Sequence, residues 1–159
     1  MLTENNMIEL AARVTPQWVA GFVDGEGSIS ARYSEDTESF SVRLQVTQKN
    51  PIVLALLLVR FPGGITNSQV NKLKYGTFTK SHFITWNGRS AKGILETIKD
   101  HVIVKKSLVE LALEFLEHIT YAGGRTTDME KSERSRICTE IKKINAPNEA
   151  QYASLEVLQ

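Results

Sequence analysis

Hydrophobic and polar residues alternate one by one in two neighbouring segments, residues 28–34 and 39–48. An alternation of period two is typical of β-strands that bury one face. The acidic turn at residues 35–38 joins the two segments, so they predict a hairpin with one apolar face and one polar face. Residues 65–68 and 75–87 predict a second hairpin, with a long basic tip.

Signals for helices surround the two hairpins. Thr15-Pro16 and Asn50-Pro51 each combine a helix-capping residue with a proline that suits the first helical turn. The first predicted helix ends in the acids around Glu26, and the second spans residues 52–61 and is expected to be mostly buried. Further helices are predicted at 90–100, with Ser90 as the cap, at 107–120 and at 130–145. We therefore expect an α+β chain whose four-stranded antiparallel sheet carries helices on one face.

A chain of 159 residues with 42% hydrophobic content can build one ordinary domain. We assign this domain to residues 15–146, after an N-terminal segment at 1–14 and before a C-terminal tail at 147–159. No apolar run approaches the roughly 20 residues that cross a bilayer, and the polar start lacks the features of a secretory signal. We expect an intracellular protein, of the cytoplasm or an organelle, without a membrane partner. Cys138 is the only cysteine, which excludes an internal disulfide and a cysteine-based metal cluster.

Charge is distributed unevenly along the chain, although the formal net charge is only +1. Between Ser39 and Leu95 there are eight lysines and arginines and no aspartate or glutamate. Such a segment is typical of a surface that binds a polyanion, and a two-stranded ribbon fits the major groove of DNA. An ordinary solvated sheet surface is the alternative. The predicted DNA contacts are Ser30, Arg32, Ser41, Arg43, Gln45, Thr47, Lys72, Lys74, Thr79 and Ser81.

The first predicted helix contains two glycines, a residue type that destabilises a helix interior. Gly21 and Gly25 lie four residues apart on one face with Gln17, where the lack of side chains lets a second helix approach closely. Glu26 stands at the negative end of the helix dipole and needs a cation beside it, and Mg²⁺ prefers carboxylate and carbonyl oxygens. If the partner helix belongs to a second copy of the chain, two Glu26 side chains converge on shared metal. A tight acidic turn is the alternative, whereas a calcium loop fails because Ile29 occupies its glycine position.

The segment Val19–Gly27, with the sequence VAGFVDGEG, resembles the motif of the LAGLIDADG homing endonucleases. The resemblance continues through VTQK at 46–49 and VKK at 104–106, and covers most of residues 15–120. It implies an αββαββα fold with a saddle-shaped sheet lying on DNA and, because the motif occurs once, a homodimer. It also implies an intron-encoded enzyme that cuts both strands of a long, near-palindromic DNA target. This enzyme would use Mg²⁺, or Mn²⁺ in its place, and no small-molecule cofactor.

Two other functions stay open at this point. A nucleic-acid binder that does not cut, such as an intron RNA-splicing maturase or a transcription factor, could use the same fold. A small dimeric ligand-sensing domain of the α+β class would differ from both because it would have no salt-dependent affinity for DNA.

The resemblance also assigns roles to individual residues. Glu26 matches the metal-binding acid of the motif, with the carbonyl of Gly25 as a second ligand. Gln48 matches a polar residue that positions water or metal. Lys105, with Lys106 as its rival, matches a basic residue that stabilises charge near the scissile phosphate. The expected dimer interface comprises Gln17, Trp18, Gly21, Phe22 and Gly25.

Several other conspicuous side chains are expected to be structural. Asp24 is expected to organise the end of the first helix rather than to bind metal. Trp18 and Trp86 are predicted to belong to the core. The three histidines have no aspartate or cysteine partners at catalytic spacing and are expected to be structural or solvated: His82, His101 and His118.

Overall fold

The computed structural model describes residues 4–35, 37, 39–72, 76–119 and 127–146. The helices and strands are α1 Glu4–Ala12, α2 Pro16–Glu26, β1 Gly27–Ser34, β2 Ser39–Gln48, α3 Pro51–Arg60, β3 Ile65–Lys72, β4 Phe78–Asn87, α4 Lys92–Ile98, α5 Lys106–Glu117 and α6 Asp128–Asn145. A short 3₁₀ helix, Gly88–Ala91, joins β4 to α4. The predicted order of helix, hairpin, helix, hairpin and further helices is confirmed. Helix α1 is an addition that the sequence pattern did not predict.

The four strands form one antiparallel sheet in the order β1-β2-β4-β3. Both predicted hairpins are confirmed, because β1 pairs with β2 and β3 pairs with β4. The hairpins join through β2 and β4, where Leu44 lies opposite Trp86. Strand β3 continues past the predicted end at Ser68 as far as Lys72, since it pairs with β4 along its whole length.

One face of this sheet is buried. Alternate residues of β2 and β4, including Leu44 and Trp86, are fully buried and pack in one cluster with residues of α2 to α6. The indole Nε1 of Trp86 donates a hydrogen bond to the carbonyl oxygen of Phe61 at 2.9 Å, so its buried polar atom is satisfied. The described residues of the other face are half-buried or exposed. The predicted half-covered sheet is therefore confirmed.

Helix α3 is less buried than predicted. Only Leu54 and Leu57 of this helix are buried, whereas Ile52 and Val59 are 44% and 45% exposed. The helix contacts α1 along one side and the sheet along another. A helix held between two neighbours in this way leaves its remaining side to solvent.

The prediction that Trp18 belongs to the core is wrong. Helix α2 buries the stripe formed by Val19, Ala20 and Val23, and Trp18 lies beside this stripe and is 42% exposed. Its ring stacks on that of Phe22, with centroids 5.1 Å apart. A large apolar pair is thus left on the outer side of the helix.

Two predicted helix starts also need correction. Asn87, not Ser90, occupies the capping position before the 3₁₀ helix, and Ser90 completes a capping box with it. Helix α6 begins at Asp128 because Thr127 forms a capping box with Glu130. Helix α5 ends at Glu117, three residues before the predicted end at 120. The tail at 147–159 lies outside the described residues. None of the helices in the described part of the chain is both long and apolar enough to span a membrane.

Candidate nucleic-acid interface and active site

Helix α2 passes directly into strand β1, and this junction fixes the position of Glu26. The helix begins with Thr15, whose Oγ1 accepts a hydrogen bond from the backbone N–H of Trp18 at 3.2 Å. It ends where the N–H of Gly27 bonds to the carbonyl of Val23, and Gly27 is already the first residue of β1. Glu26 is therefore the last helical residue, and its side chain is exposed.

The carboxylate of Asp24 holds the turn before α5. It accepts hydrogen bonds from the backbone N–H groups of Ile103 at 2.8 Å, Val104 at 3.2 Å and Lys105 at 2.9 Å. Partial burial raises the pKa of Asp24, but these three bonds and the nearby charge of Lys105 lower it more, so that the pKa lies below its ordinary value. Asp24 thus ties the end of α2 to the turn before α5, and the expectation that it does not bind metal stays a prediction.

Lys105 reaches back to the same helix end. Its Nζ donates a hydrogen bond to the backbone carbonyl oxygen of Asp24. The carbonyls at the C-terminal end of a helix carry partial negative charge and favour a cation. The ammonium group of Lys105 thus stands at the end of α2 where Glu26 is exposed, whereas Lys106 is the exposed first residue of α5.

Gln48 approaches this junction from the sheet. The register of β1 and β2 pairs Gly27 with Val46, so Gln48 follows two residues further along β2, or about 7 Å. The Oε1 of Gln48 accepts a hydrogen bond from the backbone N–H of Lys49 at 2.8 Å. The three predicted catalytic residues, Glu26, Gln48 and Lys105, come from three separate elements that meet near one corner of the sheet.

The polar face of the sheet gathers most of the predicted DNA contacts. Residues that pair across neighbouring strands point to the same face, and the register pairs Ser30 with Arg43 and Gln45 with Thr85. Arg43 Nε donates to the Ser30 hydroxyl at 3.3 Å, and the Thr85 hydroxyl donates to Gln45 Oε1 at 3.4 Å. The predicted residues that share this face are Ser30, Arg32, Ser41, Arg43, Gln45, Thr47, Thr79 and Ser81.

Two predicted contacts do not join this face. Lys72 pairs with Phe78, one residue out of step with Thr79 and Ser81, and so points to the other side of the sheet at its tip. Lys74 lies outside the described residues.

Strand β3 adds polar residues that the sequence did not reveal. Asn67, Gln69 and Asn71 pair with Phe83, Ser81 and Thr79, and therefore lie on the polar face. Gln69 Nε2 donates to Asn71 Oδ1 at 2.8 Å. Residues 65–72, ITNSQVNK, are polar on both sides, so no alternation marks one face. Pairing with β4 is the signal that identifies these three residues.

The outer side of α2 carries the predicted interface residues. The stacked rings of Trp18 and Phe22 lie there, with Gln17 exposed beside them. A Cβ atom added to Gly21 or Gly25 would meet no atom within 4 Å. Nothing in the described part of the chain therefore requires a glycine at either position for packing.

The turn held by Asp24 presents two further apolar side chains. Ile103 is 85% exposed and Val104 is 77% exposed. Because their backbone N–H groups are bonded to the Asp24 carboxylate, these side chains are held next to the end of α2. The turn before α5 thus adds exposed apolar side chains beside the end of α2.

Comparison with solved structures identifies the fold. The homing endonuclease I-CvuI, in complex with its target, has a TM-score of 0.65 at 19% identity over 84% of this chain and 83% of that chain. The archaeal intron-encoded homing endonuclease I-Vdi141I, complexed with DNA, has a TM-score of 0.65 at 17% identity over 84% and 85%. The LAGLIDADG homing endonuclease I-GzeII, in complex with its DNA target, has a TM-score of 0.59 at 22% identity over 77% of this chain and 42% of that chain.

This chain therefore has the fold of the LAGLIDADG homing endonucleases, as the sequence motif implied. No protein-family profile and no curated protein matches the sequence.

Proposed function

We propose that this protein is a homodimeric, Mg²⁺-dependent homing endonuclease that cuts both strands of a long, near-palindromic DNA target. One observation supports the proposal: the Lys105 ammonium is bonded to the Asp24 carbonyl at the end of α2, where Glu26 is the exposed last residue of the helix, beside a sheet face without acids. Hydrolysis of a phosphodiester is helped by positive charge near the scissile phosphate and by a residue beside it that can bind a metal ion. The corner supplies both.

DNA binding is assigned to the polar face of the sheet. No aspartate or glutamate stands anywhere in strands β1 to β4, so nothing on this face repels phosphates. Arg43 can address guanine in the major groove, and Gln45 can address adenine. Because the overall charge is near neutral, we expect the affinity to depend on the local basic segment and to fall steeply with salt.

The donor groups at the end of α2 fit a magnesium ion. Glu26 offers a carboxylate that forms no ion pair with any described residue, and Gly25 offers a backbone carbonyl. These are the hard oxygen ligands that Mg²⁺ prefers, and Mn²⁺ is a plausible substitute. When bound, the metal would supply Lewis-acid stabilisation of charge on the phosphate. Lys105 would hold a positive charge beside the same phosphate, and Gln48 would orient the attacking water.

The dimer is assigned to the outer side of α2. Two copies of the helix can approach closely across Gly21 and Gly25, where side chains are absent. Burial of the exposed Trp18 ring and of the remaining exposed part of the Phe22 ring would stabilise that contact. A two-fold axis through this contact would bring both Glu26 residues together, one for each DNA strand.

Glu26→Gln is the variant that tests the proposal, with Glu110→Gln, an exposed residue of α5, as the control. The substrate is DNA from the insertion locus of the coding sequence. With Mg²⁺ we expect Glu26→Gln to cut at least about 100-fold more slowly than the control, because a metal ligand is lost. Binding to the same DNA, measured by gel shift in Ca²⁺, should change little.

Two outcomes would contradict the proposal. If the folded wild-type protein leaves this DNA intact with both Mg²⁺ and Mn²⁺ but binds it, the protein is a nucleic-acid binder on the same fold. If Glu26→Gln cuts at the wild-type rate, the protein is a nuclease but Glu26 does not hold the metal.

A further inference from the structure

A second group of potential metal ligands lies where α5 ends against α6. Glu114 lies in the last turn of α5, His118 follows four residues later as the residue that caps this helix end, and Glu133 faces them from α6. The three residues can each present a ligand atom so that all these atoms lie within 4.8 Å of one another, and all three side chains are half-buried. Residues four apart share one face of a helix, so two ligands come from one turn and the third crosses the gap between the helices.

Two arginines of α6 hold this group in place. Arg136 donates to Glu133 at 2.9 Å, to Glu140 at 2.9 Å and to Glu114. Arg134 Nε donates to the carbonyl oxygen of His118 at 3.0 Å. Each carboxylate contact to Arg136 uses one named oxygen, and a carboxylate has a second oxygen for a metal. Arg136 thus pairs with three carboxylates at once, those of Glu114, Glu133 and Glu140.

We propose that Glu114, His118 and Glu133 bind one divalent transition-metal ion of the zinc type, which joins α5 to α6. An imidazole together with carboxylates suits Zn²⁺, Co²⁺ and Ni²⁺, whereas Mg²⁺ prefers oxygen ligands alone. The His118 and Glu114 pair on one helix face, with a third ligand from another helix, leaves a fourth position for water.

This site is separate from the proposed catalytic metal. Glu114 lies nine residues after Lys105 along α5, which corresponds to about 13 Å of helix rise, and His118 lies a further turn away. The catalytic corner is at the start of α5, and this group is at its end. The two sites can therefore be tested independently, and the second does not depend on the endonuclease proposal.

The position of the site indicates what the ion would do. Helix α5 ends at Glu117 and α6 begins at Asp128. An ion bound by residues from both sides would therefore hold the end of α5 against α6. Helix α6 also donates from Asn145 Nδ2 to the carbonyl oxygen of Ile29 in β1 at 2.8 Å. Binding that occurs only in the folded state stabilises the fold, so the ion should act as a structural link that holds α6 on the domain.

The experiment is a titration of the metal-free, untagged full-length protein with Co²⁺, followed by visible absorption. Wild type should gain the d–d bands of a four- or five-coordinate site, saturating at about one ion per chain. His118→Gln should weaken binding at least about tenfold, because even the loss of an outer partner of a metal ligand commonly costs that much. Glu133→Gln should also weaken Co²⁺ binding. The proposal can therefore still be tested if one of the two variants fails to fold.

Two controls separate this site from others. His101→Gln and Glu110→Gln, both at exposed positions, should bind Co²⁺ like wild type. Added Zn²⁺ should raise the melting temperature of wild type and of both controls but not that of His118→Gln. The proposal is overturned if wild type shows no saturable band, if His118→Gln and Glu133→Gln bind like wild type, or if a thiolate-to-metal band points to Cys138 instead.

Discussion

Asp24→Asn is the substitution that most directly tests the link between α2 and α5. In the wild-type chain the carboxylate Oδ2 accepts from Ile103 and Val104, while Oδ1 accepts from Lys105. Asparagine keeps one acceptor oxygen and turns an NH₂ group toward the remaining donors, so it cannot satisfy all three N–H groups. Its loss of charge also weakens whichever bonds remain.

The expected cost follows from this count. A hydrogen bond to a charged group contributes about 1.5–3 kcal/mol, and we take the lower end because Asp24 is only half-buried. With one or two bonds lost, Asp24→Asn should lower the free energy of unfolding by about 1.5–3 kcal/mol at pH 7. Asp100→Asn is the matched control, because Asp100 is exposed in the turn after α4 and should change stability by less than about 0.5 kcal/mol.

The pH dependence gives this prediction a sign. The pKa of Asp24 in the folded chain lies below its ordinary value of 3.8. A lowered pKa stabilises the fold above the pKa of the unfolded chain, and this stabilisation is lost as the pH falls through the folded pKa. The difference in the free energy of unfolding between wild type and Asp24→Asn should therefore have its full size at pH 7 and become smaller below about pH 4.

Urea unfolding, followed by circular dichroism at one fixed protein concentration, measures this difference in the free energy of unfolding. The concentration must be fixed because dimer formation would make the apparent stability depend on it. An Asp24→Asn variant as stable as Asp100→Asn at pH 7 would refute the reasoning. So would a gap that widens as the pH falls, since that requires Asp24 to be protonated in the fold.

The proposed function yields three further predictions. Lys105→Gln should slow single-turnover DNA cleavage by about 100-fold or more relative to Lys106→Gln, and equal rates would remove Lys105 from the active site. Arg43→Ala should relax base preference at one base pair per half-site, by about 1–3 kcal/mol in binding to target variants, and an unchanged preference would exclude direct readout by Arg43. Gly21→Leu should leave the fold intact, because open space surrounds this position, but weaken the dimer in analytical ultracentrifugation. A Gly21→Leu protein that dimerises like wild type would place the interface elsewhere.

Features that depend on local pattern could be predicted from the sequence. Strands β1 and β2 alternate strictly between apolar and polar residues, so their pairing and their polar face follow from the period of two. The start of α2 follows from Thr15 and Pro16, whose side chains act on the next turn of the same helix. The motif around Glu26 likewise lies within one short segment.

Strand β3 shows where local pattern fails. Its residues are polar on both sides, because it is an edge strand and most of its side chains are exposed. No alternation therefore separates Asn67, Gln69 and Asn71 from their neighbours, or shows that Lys72, a predicted DNA contact, points to the opposite face. A shift of one residue along a strand moves a side chain to the other side of the sheet. Only the register with β4 therefore shows which face each side chain of β3 occupies.

Contacts between distant parts of the chain could not be predicted either. Asp24 bonds to a turn about 80 residues later, and nothing in the sequence around either end indicates the other. The same holds for His118, which has a glutamate one turn earlier but meets Glu133 only because α6 folds back along α5. The sequence alone therefore gave no reason to single out His118 among the three histidines.

The hydrogen bonds of Asp24 change how activity data on the two motif acids should be interpreted. Asp24 uses both carboxylate oxygens for the turn that carries Lys105, and its own carbonyl accepts from the Lys105 ammonium. Asp24→Asn should therefore slow cleavage by displacing Lys105, even if Asp24 never touches the metal. The two acids can be separated by the Mn²⁺ concentration that gives half-maximal cleavage. This concentration should rise for Glu26→Gln, which loses a metal ligand, and stay near the wild-type value for Asp24→Asn. If both variants shift it alike, Asp24 also binds metal and its bonds to residues 103–105 must break when the enzyme acts.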